Sequence, residues 1–360
     1  MWKLSIPMML GMMVQAIYML VDTAFIGKWV GGTALAGLGY VFPIMFIIFG
    51  LTFGLGSGVT TVIAQYIGRN EKRKADNAAE HSVLLGIILC IVVLVLGYSQ
   101  GDHFISIQGA KPEVIGDALN YFHIMIGGSC FMIFSIFFRS ILSGEGEAMF
   151  PMKVMAIGTV LNIILDPIFI FVLNLGVPGA AIATIISRMV AGIVVLVYLF
   201  KEKAIIRISI KYFKYQFNIV KELFKIGFPS SISQIITALS MFILLTIVTK
   251  FGVEAVAAYG IAFRLDSVAI MPVIGMMTAV MTIVGQNIGA GNLKRAYKTV
   301  FISSKIAVGY TLIIGLLLLI FSVPISRLFN RELLVISYAS KYLIINAFAF
   351  MFTGVTMIIM

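Results

Sequence analysis

Two aspartates stand inside long apolar runs of this chain. Asp22 lies in Tyr18-Met19-Leu20-Val21-Asp22-Thr23, and Asp166 in Leu161-Asn162-Ile163-Ile164-Leu165-Asp166-Pro167-Ile168-Phe169. Holding one carboxylate near the centre of a bilayer costs about 2.5–3.5 kcal/mol, so the pair costs about 5–7 kcal/mol. Residues retained at that cost usually face a wet cavity and handle an ion or a proton. A hydrogen-bonded structural pair is the alternative at the same positions. Asn162 and Asp166 are four residues apart and share one helix face. Pro167 removes a backbone donor and frees the carbonyl of Ile163. Amide oxygen, carboxylate and free carbonyl then form an oxygen-rich site for a hard cation such as Na⁺. With no metal, the same carboxyl can take up and release a proton. Thr184 in the following run offers a hydroxyl, although Thr in a membrane helix commonly bonds its own backbone. Gln15, about two turns before Asp22, is a further supporting candidate.

Other polar groups fit ordinary structural roles. Glu145 and Glu147 sit in Ser143-Gly144-Glu145-Gly146-Glu147, which reads as a tight turn. Arg264 and Asp266 are two apart and do not face each other, and Glu254 falls in a short loop. His81, His103 and His123 are scattered without ligand spacing. No nucleophile–base order, nucleotide loop or catalytic carboxylate pair stands out, so a catalytic site is not expected. Gly54, Gly56 and Gly58 lie inside an apolar run and mark a close-packing helix face. The 21 Met and 28 Phe suit a cavity for varied organic cations, but also suit lipid-facing filler.

The elements that position these residues must be membrane helices. Of 360 residues 61% are hydrophobic and 11% charged, against about 25% charged in soluble domains. Runs of about 20 apolar residues cross the hydrocarbon layer as helices. Ten are expected: Leu4–Gly27, Leu38–Ile67, Ser82–Gly101, Ala118–Ser143, Pro151–Leu175, Gly179–Phe200, Gly227–Lys250, Ala257–Ile288, Thr299–Ser322 and Ser337–Met360. The net charge of +11 is gathered in alternate short loops, which implies anionic lipid and not nucleic acid as the basic patches' partner. Arg69, Lys72, Arg73 and Lys74 follow the second run, and Lys294, Arg295 and Lys298 the eighth. The positive-inside rule places the N-terminus in the cytoplasm. Cys90 and Cys130 lie in apolar runs and read as free thiols.

The chain also repeats itself. Gln65-Tyr66-Ile67-Gly68 before one basic loop returns 221 positions later as Gln286-Asn287-Ile288-Gly289 before another. At the same offset Gly31, Ala34 and Ala36 fall on Gly252, Ala255 and Ala257, and Pro7 falls beside Pro229 with a one-residue slip. Both copies have the same relation to a basic loop, so the repeat is parallel, about an axis along the membrane normal. The expected fold is an all-α, two-lobed helical bundle with an N-terminal six-helix lobe over residues 1–200. A basic amphipathic linker covers 201–226, on the inner membrane face. A four-helix second lobe covers 227–360.

Four segments resemble the multidrug and toxic compound extrusion (MATE) family. They are Tyr18 to Gly27, Gly144-Glu145-Gly146-Glu147-Ala148, Leu161 to Phe169, and Val284-Gly285-Gln286-Asn287-Ile288-Gly289-Ala290-Gly291. The resemblance implies a cofactor-free exporter of cationic, amphipathic small molecules, driven by Na⁺ or H⁺. It implies a cation site at Asp22, Asn162, Asp166 and Thr184, and a monomer in the cell membrane. Family members have twelve helices, so a chain with ten reads as a possible fragment lacking two. Some members also use acidic residues in the second lobe; here Glu254 and Asp266 are the available ones. The alternative within transport is a lipid-linked saccharide flippase, which would need several cations among Arg139, Arg188, Arg264, Lys305 and Lys341 in its cavity.

Overall fold

The computed structural model describes residues 1–25, 32–107, 112–200, 204–209, 213–329 and 332–359, with side chains of 19–25, 32–40, 107, 112–114, 117, 253 and 351 left aside. The helices are α1 (Trp2–Phe25), α2 (Gly32–Gly68), α3 (Lys72–Ile107), α4 (Pro112–Gly127), α5 (Ser129–Glu145) and α6 (Met149–Pro167). They continue with α7 (Gly176–Phe200), α8 (Phe217–Val248), α9 (Val253–Gly289), α10 (Leu293–Phe329) and α11 (Leu333–Ile359). A π-helical turn, Ile168–Val172, extends α6. Among the described residues eight helices are long and apolar enough to cross a membrane, and α4 with α5 makes a ninth if counted as one span, bent by 46°. The remaining expected run is α1, whose side chains are described as far as Tyr18. The outer faces carry exposed apolar side chains such as Val95, Ile313 and Ile345, as a lipid-facing surface requires.

The observed helices outrun the apolar stretches. α3 begins at Lys72 where hydropathy suggested Ser82, α8 at Phe217 in place of Gly227, and α10 at Leu293 in place of Thr299. Each added segment carries charged residues, as in Lys72-Arg73-Lys74-Ala75-Asp76-Asn77 and at Lys221, Glu222 and Lys225 of α8. Apolar runs mark only the part of a helix that lies in hydrocarbon, so helical turns beyond it escape hydropathy. The expected single run Ala118–Ser143 is two helices broken at Gly128.

The internal repeat is visible atom by atom. After α2 the amide of Asn70 donates to the Ile67 carbonyl (3.0 Å) and that of Glu71 to Tyr66 (2.9 Å). After α9 the amide of Gly291 donates to Ile288 (3.0 Å) and that of Asn292 to Asn287 (2.8 Å). The pivotal residues, Asn70 at φ 59° and Gly291 at φ 74°, are both left-handed, a conformation open to Gly and Asn.

The copies meet each other across a seam made by α1, α2, α8 and α9. Gly68 of α2 lies against the Gln286 carbonyl of α9, and Gly289 of α9 lies against the Gln65 carbonyl of α2. Ala64 and Gly285, also equivalent, face each other: a Cβ built on Gly285 would stand 2.8 Å from that of Ala64. Farther along, Gly54 abuts the Ser231 backbone, and Gly275 abuts that of Met8 and Met9. Such exchanged contacts are the mark of a two-fold relation. All of them crowd toward the end of the bundle that carries the basic loops. On α8 the buried residues are Ile219, Leu223, Gly227 and Ser231, all in its first half. The seam is therefore closed at the basic-loop end.

Of the expected linker, 217–226 is helical as the start of α8, while 204–209 and 213–216 are non-helical, and this part is strapped to the first lobe. Ala204 and Ile206 are buried while Ile205 and Arg207 are exposed, the two-residue alternation of an extended chain. Its amides at Ile206, Arg207 and Ser209 donate to carboxylates of Glu145 (2.9 Å), Asp76 (2.9 Å) and Glu80 (3.0 Å). The Gln216 amide donates to Nε2 of buried His81 (2.9 Å). His81 then holds its proton on Nδ1, 2.8 Å from the Asn77 carbonyl.

Candidate functional site

α6 carries the central pair. It enters the first lobe between α1 and α7 and turns Asn162 and Asp166 inward, at 2% and 0% exposure. The Asn162 side-chain amide donates to Asp166 Oδ1 at 3.2 Å. Asn162 Oδ1 is buried and accepts no hydrogen bond among the described residues. One residue later Pro167 ends the α-helical pattern, and the chain widens into the π turn, closed by the Leu173 amide on the Ile168 carbonyl (2.9 Å). The lost donor expected at Pro167 thus coincides with the change from α-helix to π turn.

Thr184, on α7, is buried and its hydroxyl lies 3.1 Å from the Tyr18 hydroxyl of α1. It therefore spends that bond across helices. Tyr18 joins the constellation although sequence reasoning passed it over. The signal was available: Tyr18 is four residues before Asp22 on one helix face. The Asp22 side chain lies outside the described residues; its backbone belongs to α1. Gln15 is half-buried on α1 and takes part in none of these hydrogen bonds among the described residues. The structure thus shows two separate hydrogen-bonded pairs, Asn162–Asp166 within α6 and Tyr18–Thr184 between α1 and α7, the two helices against which α6 packs. Their hydroxyl, amide and carboxylate oxygens are hard donors of the kind that suits Na⁺, and the carboxylate alone suits a proton. The Asn162–Asp166 pair, near the end of α6, sits in the half of the lobe away from the basic-loop end.

A small cavity of about 40 Å³ lies at the seam, toward the basic-loop end. Both lobes line it, and Met8, Met12, Met152, Met155 and Met281 furnish much of its wall. Thioethers are polarizable and adapt to varied shapes. Arg139 is the cation among its lining residues.

The second lobe holds a buried acid that sequence reasoning left undecided. Asp266 Oδ2 accepts from the Tyr342 hydroxyl (3.0 Å) and the Asn346 amide (2.7 Å). Both partners lie on α11, four residues apart, so they share a face that only the fold could bring to Asp266. Of the two acids expected in a tight turn, Glu145 is the buried last residue of α5, and Glu147 follows the turn at Gly146. Gly146 (φ 96°) caps α5, and Glu147 accepts from the Phe150 amide (2.8 Å) at the start of α6. His123 pairs with Asp102 at 2.8 Å, and Cys90 and Cys130 are both free.

Against known proteins, the MatE family model matches residues 7–168 and 229–360. The chain belongs to the MATE family. Multidrug export protein MepA of Staphylococcus aureus (strain MRSA252) is 28% identical over 365 residues, covering 98% of this chain and 80% of the relative. A solved structure of a multidrug resistance MATE transporter in the outward-facing conformation superposes with a TM-score of 0.90 at 32% identity, covering 99% of this chain and 82% of that one. A MOP-superfamily transporter from Pyrococcus furiosus gives 0.91 at 32% identity, covering 99% and 81%. As a MATE protein this chain is a multi-pass, two-lobed membrane transporter and not an enzyme. The stretch between the two matched blocks, 169–228, holds most of the π turn, α7, the linker and the start of α8.

Proposed function

We propose that this MATE transporter is a secondary antiporter of the cell membrane, exporting cationic amphipathic small molecules in exchange for Na⁺ or H⁺. The observation that carries the reading is the buried Asn162–Asp166 pair beside the π turn, supported by the Tyr18–Thr184 hydrogen bond between the two helices that flank α6. Asp22, one turn above Tyr18 on α1, is the proposed second carboxylate of that site. Ion uptake between α1, α6 and α7 changes how these helices pack, and so alters the inter-lobe cavity that α1 and α6 also line. The lobes then rock about their seam. The positive-inside rule puts the basic loops, and hence the closed end, in the cytoplasm. Names of relatives such as MepA support multidrug export as the overall activity. A flippase would be expected to place several cations in the cavity, and Arg139 is the one that lines it.

The test is efflux by the full-length protein, with and without a Na⁺ gradient and with and without a pH gradient. Asp166→Asn keeps the shape and removes the charge; coupled efflux should fall at least tenfold while passenger binding persists. Undiminished gradient-driven efflux by this variant would sink the proposal.

A further inference from the structure

Arg139 is a cation with no acidic partner among the described residues. It stands in α5, six residues before the helix ends at Glu145, and so lies above the last turn where the helix dipole favours cations. Among the described residues it forms no ion pair. Its recorded hydrogen bond runs from Nη1 to the Met155 thioether at 3.5 Å, a weak acceptor. The charge that bears on it is Arg188 of the neighbouring α7, of the same sign. Glu145 and Glu147, the nearest acids in sequence, are turned to the amides of Ile206 and Phe150. A guanidinium placed within a membrane bundle without a partner is costly, and such groups usually mark a ligand or ion path.

The cavity beside it supplies what an anion needs. Ser140 and Ser143 line it together with Arg139, and Ser143 shares the Arg139 face of α5 at the four-residue spacing. Neither serine hydroxyl donates a hydrogen bond to another described residue. Ser57, Thr60 and Thr278 add hydroxyl oxygens, although their protons are committed to the carbonyls of Gly54, Ser140 and Ile274. No Asp or Glu is among the residues that line this cavity. A planar guanidinium flanked by two free hydroxyl donors matches a carboxylate or a phosphate.

From this arrangement we infer that the basic-loop half of the inter-lobe cavity is a subsite for an anionic oxygen group on an amphiphile, held by Arg139 with Ser140 and Ser143. The inference deepens the proposed export function, on which it rests for its passenger: it extends the range from cations to zwitterions, molecules whose acidic end seats on Arg139. Two sources share the chemistry, a carboxylate on the passenger and a phospholipid headgroup.

The test uses a matched dye pair, rhodamine 6G and its free acid rhodamine 19, which differ by one ester. Binding to the purified, delipidated full chain is read by fluorescence polarisation, with no ion gradient, so failure of ion coupling leaves it readable. Arg139→Gln should weaken the free acid about tenfold or more, the scale of charge-assisted hydrogen bonds, and leave the ester within about twofold. Arg139→Lys should recover part of the loss. Should Arg139→Gln not fold, Ser143→Ala carries the comparison, with the free acid weakened about threefold. Displacement of bound free acid by phosphatidylglycerol would show a site that headgroups also enter; absence of displacement would show one reserved for the passenger. Both results retain the anion subsite. Equal effects of the substitutions on the two dyes, or none on either, would overturn it.

Discussion

Asn162 and Asp166 were legible as a pair because helical periodicity alone puts residues four apart on one face. What periodicity could not show was their partner across helices. Thr184 looked like a residue bonding its own backbone, and only the approach of α1 to α7 gives it Tyr18. Asp266 was hidden for the same reason, since Tyr342 and Asn346 come from a helix 76 and 80 residues away. At this scale the Asn162 amide has a distinct expected role. Its side chain both donates to Asp166 and keeps an uncommitted buried oxygen. Asn162→Ala should lower the affinity for the coupling ion about tenfold and leave passenger binding within about twofold. Ion titration of efflux, set beside dye binding, checks both halves. Tyr18→Phe removes one hydroxyl at the mouth of the same group, and should shift the ion dependence in the same direction by a smaller factor.

The elements differ from their sequence outlines where chemistry and hydropathy part company. Apolar runs traced the embedded cores of the helices, and the repeat of Gln-x-Ile-Gly pointed to two related lobes. The first turns of α3 and α8 stayed invisible because they stand clear of hydrocarbon. Those turns are where the linker is held: Asp76, Asn77, Glu80 and His81 are successive contact points on α3. An alternation of basic and apolar residues suggested a segment lying on lipid. In the structure residues 204–209 are strapped to the first lobe, their amides at Ile206, Arg207 and Ser209 met by carboxylates and Ile206 fully buried. Removing one such partner leaves a buried amide unpaired, at a cost of about 1–3 kcal/mol. Glu145→Ala should therefore raise hydrogen exchange of the 204–209 amides about tenfold, with exchange in α10 unchanged. Unaltered exchange across 204–209 would show that the strap does not depend on Glu145.

For the whole molecule, polarity is divided along the membrane normal. The buried Asn162–Asp166 pair occupies the half away from the basic loops, within one lobe, and the Arg139 cavity occupies the other half, between lobes. The seam beneath that cavity makes a symmetric prediction. A methyl at Gly68 would strike the Gln286 carbonyl, and one at Gly289 the Gln65 carbonyl. Gly68→Ala and Gly289→Ala should each prevent full closure at the basic-loop end and reduce efflux about tenfold, by similar amounts. Gly309→Ala meets nothing within 4 Å and should be silent. Spin-label distances across the basic-loop end would report the wider separation directly. Unequal defects in the paired variants would mean that the two halves of the seam are not mechanically equivalent.

The contact between Gly68, Gly289 and their opposing carbonyls is main chain on main chain. A joint of that kind is blind to side-chain drift, because what bears on it is common to every residue. The walls above it can be rewritten in methionine, serine or arginine while the bearing keeps its shape. Evolution can thus change what is carried without relearning how to move.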